Sequence, residues 1–423
     1  MAKARVKEIQ KRDFDILYDL YRYRVLTTEQ IRRKYFSDSK YYVNRKLNML
    51  RNSGWISTFS VSRKDGRKGE AHHRITDRGI TQLRQSGYPV IYKADALRVS
   101  HELLGYLREA NNIMVELSPY GWYMRDSRET KERYNMNRGD QMHGTLVSPD
   151  GTEYGFFVLE KGTLDKNMAK VVQEIRATSG GGAGLTRFMI FAKGRDSIWH
   201  FIERANREER DGKGNLVKNR LVVHVGEVSG TLCVMDYAFG VEYLKSRLSD
   251  KRHFKRIFQD EQAPVHWLAP SDRTRFECIA RYRDEEVYLV NLLDTDLMKV
   301  EAIRHYLGDI PRLQRFGETL RRVLVLTEPG LRDLHGELLG ESPYIGYLEL
   351  SRNRINAFKR SKGEMNNEPH HTGTEIDHEA HHGQESHRTR DCRSAERSAK
   401  KHVQSDETHI KGRTDLRPYR RTK

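Results

Sequence analysis

Within the first hundred residues the hydrophobic period changes from helical to strand-like and back, and this constrains the chain most tightly. Glu8–Arg24 sets Ile9, Phe14, Ile16, Leu17, Leu20 and Tyr21 on roughly one helical face. Thr27 followed three residues later by Gln30 is a capping box, so a second helix starts there and carries Ile31 and Tyr35 inward. A third helix, Lys40–Asn52, buries Val43, Leu47 and Leu50 and stops at Gly54. The period then shortens. Trp55–Val61 reads as a strand, Arg63–Gly69 as a basic turn and His72–Ile75 as the return strand. Thr76 caps a closing helix that runs through Leu83.

Three helices, a hairpin and a last helix make a winged helix-turn-helix. In that architecture the third helix enters the major groove and the hairpin tip follows the phosphate backbone. At about 100° per residue, Tyr41, Arg45 and Asn48 face away from the core, with Asn44 beside them. These side chains suit base edges and phosphates. Arg63, Lys64, Arg67 and Lys68 on the turn suit phosphates. Charge agrees. The chain carries +17 overall, and residues 1–100 hold 23 Lys+Arg against 10 Asp+Glu, a net of +13. A surplus this concentrated points to a polyanion, with double-stranded DNA the expected partner.

From Val99 helices and strands alternate. Ser100 caps a helix over His101–Glu116. Strands follow at Trp122–Arg128, Gln141–Val147 and Tyr154–Glu160, then a helix over Leu164–Ala177 and a strand at Arg187–Ala192. A helix at Ser197–Arg207 and a strand at Leu221–Val225 complete the series. The order helix, three strands, helix, strand is that of the PD-(D/E)xK, or restriction-endonuclease-like, nuclease core. It brings Glu102, Asp140, Glu160 and Lys161 toward one sheet edge. Hard carboxylate oxygens could hold Mg²⁺ there, and a lysine could orient the attacking water. On this reading Glu102, Asp140 and Glu160 are metal ligands and Lys161 assists. Val158 stands where a Glu-x-Lys spacing would need its acid, so a weakened site is the alternative. Pro149-Asp150-Gly151 reads as a turn, and Ser179–Gly184 as a flexible linker. Tyr134 is the candidate for a tyrosine-dependent nicking route.

Residues 273–350 repeat the layout of the middle. A hairpin of Arg275–Arg283 and Val287–Leu293 precedes a helix (Leu297–Leu307), a strand (Arg322–Thr327), a helix (Gly330–Leu339) and a strand (Tyr344–Leu350). Asp294 and Asp296 read as caps. After Arg352 the composition turns polar and rich in His and Arg, with 8 of the 18 histidines between His370 and His409. This reads as a disordered tail. No run approaches the ~20 apolar residues of a membrane span, and the N-terminus has no signal-like apolar stretch. Cys233, Cys278 and Cys392 lie far apart, which excludes a cysteine zinc site and a disulfide framework and suits a cytoplasmic location.

Together these features resemble the replication-relaxation family of plasmid and mobile-element proteins. The resemblance rests on Ile16-Leu17, Leu20 and Leu26–Ile31, on Tyr42, Lys46-Leu47 and Leu50 with Gly54-Trp55-Ile56, and on Ile75-Thr76-Asp77 with Gly79. It continues through Ser100–Leu103, Gly139-Asp140 and Phe156–Thr163. It implies a role in plasmid replication or DNA relaxation, with replication or mobilisation proteins or a second copy of the chain as partners.

The expectation is therefore an α+β multidomain protein. Residues 1–96 form the winged helix, 97–250 the nuclease-like α/β domain, 251–351 a second α/β unit and 352–423 the tail. A non-enzymatic regulator of transcription or copy number is the rival reading.

Overall fold

In the computed structural model the described residues are 6, 8–37, 39, 41–61, 69–180, 184–227, 229–250, 254, 265–269, 276 and 278–360. The first elements are α1 (Lys11–Arg22), β1 (Leu26–Thr27), α2 (Thr28–Tyr35), α3 (Tyr42–Asn52), β2 (Ile56–Ser60), β3 (Ala71–Ile75) and α4 (Asp77–Gln85). The capping box at α2 is formed in both directions. Gln30 N–H donates to Thr27 Oγ1 at 3.1 Å, and Thr27 N–H donates to Gln30 Oε1 at 2.9 Å. Strands β1, β3 and β2 make a small antiparallel sheet in that order, with Ile56 opposite Ile75. Ile16, Leu17, Leu20, Ile31, Val43, Leu50 and Leu83 are buried among these elements.

One ion pair lies inside that core. Lys46 Nζ on α3 sits 2.7 Å from Asp13 Oδ1 on α1, and both side chains are almost fully buried. The other oxygen of Asp13 accepts the Gln10 N–H at 3.0 Å, at the start of α1. A buried charge is tolerated only when it is paired. The pair therefore fixes how α3 lies on α1.

The middle of the chain forms α5 (His101–Leu117), β4 (Tyr123–Asp126), α6 (Ser127–Arg133), β5 (Gly144–Val147), β6 (Glu153–Leu159), α7 (Asp165–Gly180), β7 (Arg187–Ala192) and α8 (Arg195–Ala205). A short hairpin, β8 (Glu209–Arg210) and β9 (Leu216–Lys218), leads to α9 (Leu221–Glu227), β10 (Thr231–Asp236) and α10 (Tyr237–Leu244). The sheet order is β10-β7-β6-β5-β4, antiparallel from β4 to β6 and parallel from β6 to β10. Phe156, Phe157, Phe188 and Phe191 are almost completely buried on it, each contributing about 1.5–3 kcal/mol. Gly144 opens β5 because a Cβ there would lie 2.4 Å from the Arg125 carbonyl oxygen.

A second five-stranded sheet follows, from β11 (His266–Ala269), β12 (Cys278–Tyr282), β13 (Glu285–Asn291), β14 (Arg322–Thr327) and β15 (Ile345–Glu349). Helices α11 (Leu297–Arg315) and α12 (Arg332–Leu339) form its crossovers. Its strands run antiparallel, antiparallel, parallel, parallel, the same sequence of directions as β4 to β10. Asp296 caps α11 by accepting the Met298 N–H at 3.1 Å.

Helix α5 joins the N-terminal elements to the first large sheet. Gln30 Nε2 donates to the Arg108 carbonyl at 2.9 Å and to Asn112 Oδ1 at 3.0 Å. Asn111 Nδ2 donates to the Val25 carbonyl at 2.6 Å, and Arg33 pairs with Glu116.

Several local expectations need correction. The expected strand Trp122–Arg128 gives way to helix α6, because the Asp126 carboxylate accepts the N–H groups of Arg128 and Glu129. Leu221–Val225 is helical, with Leu221, Val222 and Val225 inward. The edge strand expected there is Thr231–Asp236. Asp140 lies in a turn before β5 and does not open a strand. The expected tail begins with a helix, α13 (Arg352–Ala357), and Lys359 pairs with Glu242 at 2.9 Å. Among the described residues no helix is long and apolar enough to cross a membrane.

The buried pair generates a stability prediction. Lys46→Ala, which strands the Asp13 carboxylate, should lower unfolding free energy by about 3–5 kcal/mol, while Asp13→Leu with Lys46→Met should recover most of it. Urea unfolding of the two variants checks this.

Candidate nucleic-acid interface

Helix α3 has two faces. Val43, Lys46, Leu47 and Leu50 are turned into the core, while Tyr41, Asn44, Arg45, Asn48 and Arg51 are exposed. Tyr41, just before the helix, exposes 83% of its surface. Asn48 Oδ1 accepts a hydrogen bond from Arg51 at 2.9 Å, which orients the amide on the outer surface. All four residues expected on α3 therefore share one open face. The four expected on the turn, Arg63, Lys64, Arg67 and Lys68, lie outside the described residues.

The hairpin behind α3 is fixed by its histidines. His73 bridges Thr28 Oγ1 at 2.9 Å and Thr58 Oγ1 at 3.0 Å. Burial, helped by His72 and Arg51, lowers its pKa to about 4, so it is neutral and structural at neutral pH. Arg74 lies over the Phe59 ring and donates to Ser57.

The second cluster sits at the edge where β6, β7 and β10 end. Leu159 is in register with Ala192, so Glu160 and Lys193, each one residue past its strand, become neighbours. Lys193 Nζ lies 3.1 Å from Glu160 Oε1 and 3.0 Å from Glu109 Oε2 of α5, above the Tyr237 ring. Glu109 is buried. Burial alone would raise its pKa, but hydrogen bonds and charge from Lys193 and Arg108 hold the carboxyl below the usual range. The expected acid on α5 was Glu102, whose side chain lies outside the described residues. Glu109, two helical turns further, reaches the strand ends. Lys161 is exposed beside Glu160.

Asp140 is engaged in its own loop. Its Oδ2 accepts the Asn137 N–H at 2.9 Å, and its carbonyl accepts from Lys131 at 2.6 Å. Lys170 ties the same loop through the Gly139 carbonyl at 2.9 Å. Glu174 lies behind it, both oxygens at 2.7 Å from the Gln141 N–H. Burial raises the Glu174 pKa to about 7, with Asp140 adding to the rise and Lys170 and Lys131 opposing it.

Among the described residues no three of His, Cys, Asp and Glu are grouped to hold one ion. The Lys193 ammonium already bridges Glu160 and Glu109, where a second cation would be repelled. Tyr134 is buried, and its hydroxyl is bonded to Glu153. Burial and that bond raise its pKa, which opposes the phenolate a nicking tyrosine needs. Asp150 belongs to a turn and accepts the Thr152 N–H at 3.1 Å.

Lys193 and Glu109 were missed in the sequence, although part of their signal was present. Glu160 and Lys193 each end an apolar strand, and parallel neighbours place such positions side by side. No periodicity distinguishes Glu109 from Glu102, since both share one face of α5.

The chain is thus an α+β protein with a helix-presenting N-terminal unit joined to mixed sheets. Residues 17–177 match the family model described as replication-relaxation. The match ends within α7, so Lys193 lies beyond it. No curated protein and no solved structure matches the chain.

Glu174 gives a pH prediction. A raised carboxyl pKa means the stability held below about pH 4.5 is lost as pH rises through about 7. Glu174→Gln keeps the acceptor for Gln141 and removes the charge. Its melting temperature should exceed the wild-type value at pH 8 and match it near pH 4, as read by thermal scans across that range.

Proposed function

We propose that this protein grips duplex DNA with α3 and serves plasmid or mobile-element replication or relaxation. On this reading residues 11–85 work as a winged helix, with α3 in the major groove and the β2–β3 hairpin along the backbone. The observation that carries the reading is the outward row Tyr41, Asn44, Arg45 and Asn48, on a helix held from beneath by the Asp13–Lys46 pair. Arginine and asparagine are the side chains that pair bidentately with guanine and adenine edges. The net +13 of the first hundred residues supplies the electrostatic part of the affinity. The replication-relaxation family supports the setting.

The order of α5 to β7, three strands crossed back by α7 to a fourth with α6 inserted after β4, supports a nuclease-like platform. The Glu109–Lys193–Glu160 bridge makes this edge a closed ionic clamp on our reading, so the platform positions DNA and cutting is left to a partner. A supercoiled plasmid incubated with Mg²⁺ should be bound and left uncut. Relaxation that disappears in Asp140→Ala and Glu160→Ala would overturn the platform reading.

Arg45→Ala and Asn48→Ala should each cost about 1–3 kcal/mol on the preferred duplex and relax sequence preference. Lys64→Ala and Lys68→Ala should weaken all duplexes evenly, and each should reduce the salt slope by about one, because one phosphate fewer is neutralised. Binding titrations on preferred and scrambled duplexes at several salt concentrations separate the two effects.

A further inference from the structure

A cleft of ≈190 Å³ opens beside the end of β6, between α5, the stretch before β5 and the entry to α7. It is smaller than the ≈300–1,000 Å³ sites that enclose whole small molecules, so it suits a fragment of a larger ligand. Its floor is apolar, from Phe157, Val158, Leu159 and Val171. Its rim carries two large exposed side chains, Tyr106 at 47% and Leu164 at 58%.

His143 on its wall carries the argument. The residue is 7% exposed, and its Nδ1 accepts the Val158 N–H at 3.3 Å. Its other ring nitrogen, Nε2, is buried with no hydrogen-bond partner among the described residues. With Nδ1 accepting, Nε2 carries the proton in the neutral ring. An unpartnered buried donor calls for an explanation, and one explanation is a ligand that completes it. The Tyr106 ring packs against His143 at 5.4 Å between centroids and keeps surface open to solvent.

The charge at the mouth cancels between Glu160 and Lys161, and the remaining polar groups are the uncharged Gln141, Thr163 and Asn167. Apolar walls, neutral donors and acceptors, and an open aromatic face suit a flat, uncharged heterocycle better than a phosphate. Bases taken out of a helix are held in this way, by stacking on aromatic rings and hydrogen bonds to their edges.

We infer that this cleft receives one unstacked nucleobase of single-stranded DNA, stacked on Tyr106 and hydrogen-bonded by His143 Nε2–H. The inference rests on the DNA-binding reading and extends it to an opened strand, because a base within a duplex cannot enter the cleft.

The test uses the full-length protein and short single-stranded oligodeoxynucleotides carrying one fluorescent purine analogue. Binding should quench the analogue. Tyr106→Ala should weaken single-strand binding about tenfold or more and abolish the quench, whereas Tyr106→Phe should preserve both. Asn167→Ala provides a second, half-buried change if His143→Gln fails to fold, and it should also weaken binding. Duplex affinity should be unchanged in Tyr106→Ala. Wild-type single-strand affinity in Tyr106→Ala, with no quench in either protein, would overturn the inference. A mononucleotide that displaces the oligonucleotide at equal concentration would overturn the single-strand assignment in favour of a free nucleotide. Failure of the duplex reading shows separately, as duplex binding that survives Arg45→Ala and Asn48→Ala.

Discussion

The N-terminal unit depends on one buried charge pair. Lys46 is the only basic residue of α3 turned inward, and it survives there because Asp13 meets it at 2.7 Å. The pair sets the rotation of α3 as well as its position. A helix rotated by one residue would put Arg45 in the place of Lys46, push the Lys46 ammonium into the apolar site of Leu47 and expose Leu47. The exposed row follows from that constraint, so the internal ion pair and the outward row Tyr41, Asn44, Arg45 and Asn48 are two sides of one helix.

The same logic of paired charges continues through the middle. Arg33–Glu116 and Lys245–Glu116 tie α2, α5 and α10 together, and Lys193 ties α5 to the ends of β6 and β7. Glu116 and Glu109, two turns apart on α5, thus anchor its inner side at both places. Such pairs do little for net stability compared with apolar burial. Their effect is positional: they hold the N-terminal unit against the first large sheet through a helix whose Glu109, Asn111, Asn112 and Glu116 are all engaged.

Much of this was legible in the sequence, for identifiable reasons. The capping box at Thr27–Gln30, the apolar face of α3, the hairpin and the apolar strands Tyr154–Glu160 and Arg187–Ala192 all follow from period and capping chemistry. The misreadings also have physical causes. Leu221–Val225 is a short apolar run, and such runs suit a buried strand or one helical turn equally well. Asp126 converted a strand end into a helix start, a choice set by one cap. The Glu109–Lys193–Glu160 bridge was not legible, because strand register, not local spacing, decides which charges meet. Lys46 looked like one more basic residue until its partner was visible. His143, the orphan in the cleft, carries no sequence signal at all.

The central claim is that the outer face of α3 meets duplex DNA, and side-chain footprinting reads it most directly. Hydroxyl radicals modify Tyr41 readily in the free protein, since it is 83% exposed. With saturating duplex DNA, Tyr41 should be strongly protected, while Tyr92 and Phe316 on other surfaces keep their free reactivity. Tyr41 modified equally with and without bound duplex would contradict the account.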